Sequence, residues 1–228
     1  IAYAVARVRT AARKPLGDTQ LERLLSASGY EEALRALGEM GWPGVESDTV
    51  EALSVSMLEK ACARIRKITP EPELTNAFLM RHDAQNLKTL LKARILGIQA
   101  ESLSNCGTLP VEALRHAVAE RVYGKLPEEF RLAMEVLEKR VSLGADPMEI
   151  DVRIDQALYG LIQKRMKQTK SLAAKQYFTG FTDLHNAVSF LRLRAMEGAG
   201  ISFLDLLLPG GAISKADWEK LADQPEQV

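Results

Sequence analysis

The chain is 228 residues long and carries 30 Lys+Arg against 30 Asp+Glu, with 46% hydrophobic and 26% charged residues. Zero net charge argues against a nucleic-acid binder, which carries a basic excess. The longest run free of Asp, Glu, Lys and Arg is Ser102–Val111, ten residues, too short to cross a bilayer.

Helical signals dominate from the N-terminus onward: Ala, Leu, Arg, Glu and Lys are frequent, and no run alternates apolar with polar residues. No leader is visible at the start, and an opening on Ile1 is what a trimmed chain would show. From Ser47-Asp48, apolar residues recur at Val50, Leu53, Met57, Leu58, Ala61 and Ile65, one face of a helix that ends near Pro70. Pro72-Glu73 begins a longer helix that runs to Gly97, a residue suited to a C-terminal cap. Pro127-Glu128-Glu129 begins another, with acids in the first turn where the helix dipole favours them. Asp146-Pro147-Met148-Glu149 joins an N-cap, a proline at the first helical position and an acid three residues on. That helix is expected to run past Lys170, with Thr182 to Met196 continuing the pattern. Breaks are expected at Gly41-Trp42-Pro43-Gly44, Gly107, Gly124, Gly144, Gly198–Gly200 and Pro209-Gly210-Gly211. The fold class is all-α. Cys62 and Cys106, the only cysteines, read as structural thiols in a reducing compartment.

An internal repeat organises these helices. His82–Arg94 aligns with Thr182–Arg194 at a constant offset of 100 residues, with Asp, Asn, Leu and the closing Arg identical. Gly107-Thr108-Leu109 resembles Gly211-Ala212-Ile213, offset by 104. Arg7-Val8-Arg9 echoes Lys92-Ala93-Arg94 and Arg192-Leu193-Arg194. The chain therefore divides into residues 1–45, the second half of a split unit; 46–145, a full unit; and 146–228, a second unit with a truncated C-terminal region. Pseudo-threefold long hairpins with the third unit incomplete are the expected arrangement.

Asp83, Asn86, Leu90 and Arg94 fall at about 0°, 300°, 340° and 20° around a helix, one narrow stripe. Asp183, Asn186, Phe190 and Arg194 repeat it. Buried polar groups must be paired or they cost about 1–3 kcal/mol each, so the stripe reads as a structural device that sets helix register. Lys88, Lys92 and Arg192 point to the opposite side, where repeated cations could form a solvated face or dock a partner. Catalytic motifs are thin. His82-Asp83 resembles a metal-binding pair but lacks an upstream histidine, since His116 and His185 are the only others. No zinc-spaced cysteine pair, Gly-x-Ser-x-Gly or Gly-Lys-Ser/Thr occurs. No catalytic, cofactor or metal residue is therefore assigned.

Tyr3–Arg9, Asp83–Arg94, Asp183–Asn186 with Leu191–Arg194, and Leu207-Leu208-Pro209-Gly210-Gly211 together resemble the C subunit of V/A-type rotary ATPases, whose eukaryotic counterpart is the d subunit. The likeness covers nearly the whole chain in the right order. It implies a funnel-shaped, non-catalytic central-stalk socket, which couples the central shaft (the D and F subunits) to the membrane ring of proteolipid rotor subunits. It implies a cytoplasmic chain peripheral to the membrane, with no span of its own and no nucleic-acid partner. Arg7, Arg9, Lys88, Lys92 and Arg192 are the expected partner-facing residues. A free-standing helical scaffold that binds other proteins would also show repeats, and a helical metal-dependent enzyme would need His82, Asp83 and further ligands to converge.

Overall fold

Proline, glycine and short hydroxyl side chains punctuate this chain, and several helices start or stop beside one of them. The computed structural model describes residues 2–12, 17–42, 50–141, 146–196 and 201–222, and among these every regular element is an α-helix. In chain order these are α1 (Ala2–Ala12), α2 (Asp18–Leu25), α3 (Tyr30–Glu39), α4 (Val50–Ile68), α5 (Pro72–Leu96), α6 (Val111–Glu120), α7 (Glu128–Val141), α8 (Pro147–Gln168), α9 (Leu172–Ala195), α10 (Phe203–Leu206) and α11 (Lys215–Ala222). The expected unit boundaries at 45/46 and 145/146 lie in or at the edge of stretches outside the described residues. So do Pro43-Gly44, Ser47-Asp48, Gly144 and Gly198–Gly200.

By packing, the chain forms two compact units, residues 1–75 with 104–106, and residues 76–103 with 107–228. In the first, α1 packs on α4 and α2 on α3. Arg23 of α2 pairs with Glu39 of α3, and Ala36, Leu53 and Cys62 are buried. Residues 104–106 are tied to α4: Glu59 accepts from the Asn105 backbone and side-chain amides at 3.1 and 2.9 Å. Arg66 donates to the Cys106 carbonyl at 2.5 Å. Both cysteines are free and buried. The expected apolar stripe of α4 is covered only in part, since Leu58 and Ile65 remain 44% and 43% exposed.

The second unit is built around α5, α7, α8 and α9. Met80, Leu87, Leu91, Leu114, Phe130, Met134, Leu137, Ile150 and Ile154 are all under 2% exposed and form its interior. Helix α5 buries residues around most of its circumference, so its sequence shows little amphipathic contrast. Gly97 takes φ +65°, and Ile98 N–H reaches back to the Ala93 carbonyl at 3.0 Å, a Schellman closure that glycine's missing Cβ permits. At the start of α8, the Asp146 carboxylate accepts from Met148 N–H at 2.8 Å. The Glu149 side chain takes Arg140 of α7 at 2.9 Å.

One expected element divides in two. The helix beginning at Pro147 stops at Gln168, short of Lys170, because two hydroxyls offer the backbone competing partners. Thr169 Oγ1 accepts from Ser171 N–H at 3.2 Å, and Ser171 Oγ accepts from Ala174 N–H at 3.2 Å as the N-cap of α9. Replacing Ser171 by Ala leaves that amide without its partner. The expected loss is about 1 kcal/mol, read as a lower urea midpoint with an unchanged slope.

Candidate functional site

The two aspartates of the repeated stripe perform the same task. Asp83 of α5 is fully buried and accepts from Thr108 N–H at 2.8 Å, Thr108 O–H at 2.7 Å and Leu109 N–H at 3.0 Å. Asp183 of α9 accepts from Ala212 N–H at 2.9 Å and Ile213 N–H at 3.3 Å. Asp83 clamps the loop that follows α5, and Asp183 clamps the loop between α10 and α11, through charge-assisted bonds about twice as strong as neutral ones. Each clamp closes over a glycine. A Cβ at Gly107 would lie 2.0 Å from Asp83 Oδ1, and one at Gly211 would lie 2.1 Å from Asp183 Oδ1. Asn186, 2% exposed, adds a two-way bond in its copy: its Oδ1 accepts from Leu208 N–H at 2.9 Å, and its Nδ2 donates to the Leu208 carbonyl at 3.0 Å. Asn86 is equally buried on α5.

The closing arginines diverge. Arg94 donates to the Val118 carbonyl at 2.6 Å and pairs with Glu138 of α7, which also accepts from the Tyr123 hydroxyl. Burial, helped by the Glu138 carboxylate, pushes the Tyr123 phenol well above its ordinary range. Arg194 instead lies over the Phe190 ring, 4.9 Å from its centre. Phe190 packs with Phe203 and Trp218 at ring separations of 5.1 and 5.8 Å, which docks α10 and α11 on α9.

The cations on the far side of the stripe have unequal surroundings. Lys88 and Lys92 do not stand free. Lys88 Nζ lies 2.6 Å from Asp155, and Lys92 Nζ lies 2.6 and 2.8 Å from the two Asp151 oxygens, because α8 presents two carboxylates one turn apart. The Lys88 side chain is only 13% exposed. Asp155 in turn helps burial push the nearby Tyr159 phenol up to about 12. Arg192, by contrast, is exposed and forms no ion pair among the described residues. Arg7 and Arg9 of α1 are exposed as well.

Arg7 also lines a groove of about 800 Å³ within the first unit, together with Tyr3, Trp42, Lys60, Arg64 and Lys67. No carboxylate among the described residues lines it. The spacing of Lys60, Arg64 and Lys67 at i, i+4 and i+7 places all three on one stripe of α4. Sequence reasoning passed over them because the apolar residues of that helix gave the stronger periodic signal.

A family model described as ATP synthase (C/AC39) subunit matches residues 4–228. The chain belongs to this family. The C subunit of the A-type ATP synthase of Methanosarcina barkeri is 27% identical over 246 residues, covering 98% of this chain and 66% of that protein. Its counterpart in the A-type ATP synthase of Methanocaldococcus jannaschii is 27% identical over 129 residues, covering 50% of this chain and 32% of that protein. The chain thus spans under two thirds of the length of both curated relatives. No described helix of this C/AC39 family chain is long and apolar enough to cross a membrane.

Two outcomes follow from the clamps. Gly107→Ala forces Asp83 to abandon buried donors, so a loss of about 2 kcal/mol or more is expected. Gly211→Ala should cost less, because Asp183 keeps contact with water; urea unfolding of both variants checks the order. Alkaline pH tests the Tyr123 environment. Below about pH 10 the phenol is protonated in both states and stability is intact. Above it the unfolded chain ionises first, so stability falls as pH climbs towards the raised folded value, by at most about 1.4 kcal/mol per pH unit. Tyr123→Phe should remove that share of the slope, leaving the part due to Tyr159.

Proposed function

We propose that this chain is a non-catalytic central-stalk component of a V/A-type ATPase or ATP synthase. It acts as the socket through which the rotating shaft drives the membrane rotor ring, and so takes part in ion transport. The family match across residues 4–228 carries this reading. Its partners are the D and F subunits of the shaft on one side and the proteolipid ring on the other. It lies on the cytoplasmic side, peripheral to the membrane.

A socket must transmit torque without yielding. The Asp83 and Asp183 clamps support that role, because each fixes a loop to a long helix through backbone donors rather than flexible side-chain contacts. Arg7 and Arg9 in the first unit and Arg192 in the second are the partner-facing cations, while Lys88 and Lys92 hold the α5–α8 register. Exposed charges act collectively through orientation and association rate, each worth about 0–1 kcal/mol.

The test is capture of a purified D–F shaft subcomplex by the chain carrying Arg7→Glu and Arg9→Glu. Two charge reversals at an interface should weaken binding roughly tenfold, about 1.4 kcal/mol, and more at low salt. Unchanged capture would remove α1 from the shaft contact. Failure of the unaltered chain to bind either the shaft or the ring would remove the socket role.

A further inference from the structure

The first unit brings the chain's only two cysteines together. The Sγ atoms of Cys62 and Cys106 lie within 4.8 Å of each other. Both thiols are withdrawn from water, Cys62 at 4% exposure and Cys106 at 0%. The approach is enforced from both sides. Glu59, Cys62 and Arg66 stand at i, i+3 and i+7 on one stripe of α4. Glu59 holds the two Asn105 amides, and Arg66 donates to the Asn105 and Cys106 carbonyls at 3.5 and 2.5 Å. Cys62, between them on the stripe, is thereby set opposite Cys106. Cys106 N–H donates to Ser104 Oγ at 3.2 Å, which draws the segment into a turn.

The repeat shows that packing alone does not call for these thiols. At the offsets of 100 and 104, Glu59, Cys62, Arg66, Asn105 and Cys106 become Tyr159, Ile162, Met166, Pro209 and Gly210. The second copy fills the place of Cys62 with an aliphatic side chain, Ile162, at 7% exposure. It carries neither the sulfurs nor the polar frame around them. The first copy therefore has a dithiol where its counterpart has plain packing. A disulfide needs sulfurs about 2.05 Å apart, so closure asks for a movement of under about 3 Å. One χ1 rotamer change carries a cysteine sulfur about that far. Residues 104–106 lie outside any helix, so their backbone supplies the remainder without breaking a helical ladder.

We propose that Cys62 and Cys106 are a peroxide-oxidisable dithiol whose disulfide fastens residues 104–106 covalently to α4. Burial sets the class of oxidant, since a small peroxide follows the transient openings of a packed interior more readily than a bulky disulfide does. One thiolate attacks an oxygen of hydrogen peroxide, so that an S–O bond forms and the O–O bond breaks. The departing hydroxide takes up that thiol's proton as water. The second sulfur then attacks the sulfenic sulfur, so that the S–S bond forms and the S–O bond breaks. The oxygen leaves as water with the second proton. Two thiols and one peroxide thus give one disulfide and two waters, with two electrons passing to the peroxide. This goes beyond the socket reading and does not depend on it.

The test uses the full chain, reduced with dithiothreitol, separated from it and treated with hydrogen peroxide. Peptide mapping is expected to show a Cys62–Cys106 link within the monomer, with the intact mass lower by two hydrogens. Thiols titratable after denaturation should fall from two to none, and dithiothreitol should restore both. The melting temperature should rise by about 5 °C or more on oxidation and return on reduction. Cys62→Ile and Cys106→Gly, which copy the second repeat, should each abolish that rise. Where neither variant folds, the map, mass and melting of the unaltered chain decide alone. Oxygen added to the two sulfurs without a link overturns the proposal, as do links between molecules. So does a link that leaves the melting temperature unmoved, and so do thiols that stay reduced while the unfolded chain is oxidised. A stoichiometric metal ion that leaves as the thiols oxidise would make them a ligand set and would overturn the dithiol reading.

Discussion

A carboxylate facing two consecutive backbone amides is the interaction on which the second unit depends. At Asp83 the hydroxyl of Thr108 joins them, and the whole group is withdrawn from water. An ionised acid buried there is tolerable only because every lone pair that matters has a donor. The glycine is part of the same device, since the loop approaches closer than any side chain would allow. The geometry recurs at Asp183 and Gly211, so the relation between a long helix and a loop further along the chain is set twice by one chemical rule.

Beyond the clamps the two copies differ, and the differences follow from what each helix must face. On α5 the Arg94 guanidinium is enclosed and takes a carbonyl and a carboxylate from α6 and α7. On α9 the equivalent Arg194 sits on an aromatic ring in the cluster that docks α10 and α11. Trp218 completes that cluster with its ring nitrogen buried and without a hydrogen-bond partner among the described residues. The apolar stacking around it must therefore outweigh a desolvation cost of about 1–3 kcal/mol.

Much of the fold was legible because its punctuation is local. Pro72, Gly97 and Pro147 act within a turn of their own positions, and α5 and α8 begin or end where they stand. The polar stripe was legible because repetition at a fixed offset separates a required aspartate from an incidental one. The break at Thr169–Ser171 was not, because hydroxyl residues are weak helix breakers until their side chains find a backbone amide. Nor were the partners of Lys88 and Lys92: no periodicity along α5 reveals that Asp151 and Asp155 will stand opposite, about 60 residues on.

The two lysine–aspartate contacts between α5 and α8 have a mechanical corollary. Both pairs are satisfied in one axial alignment only, with Lys88 opposite Asp155 and Lys92 opposite Asp151. Sliding α8 by four residues, about 6 Å, would bring Lys92 to Asp155 and leave Lys88 facing Tyr159, so half the ionic matching would survive. Intermediate displacements match neither pair. Under a shearing load this contact would hold like a detent, resisting slow creep and giving way in steps of four residues.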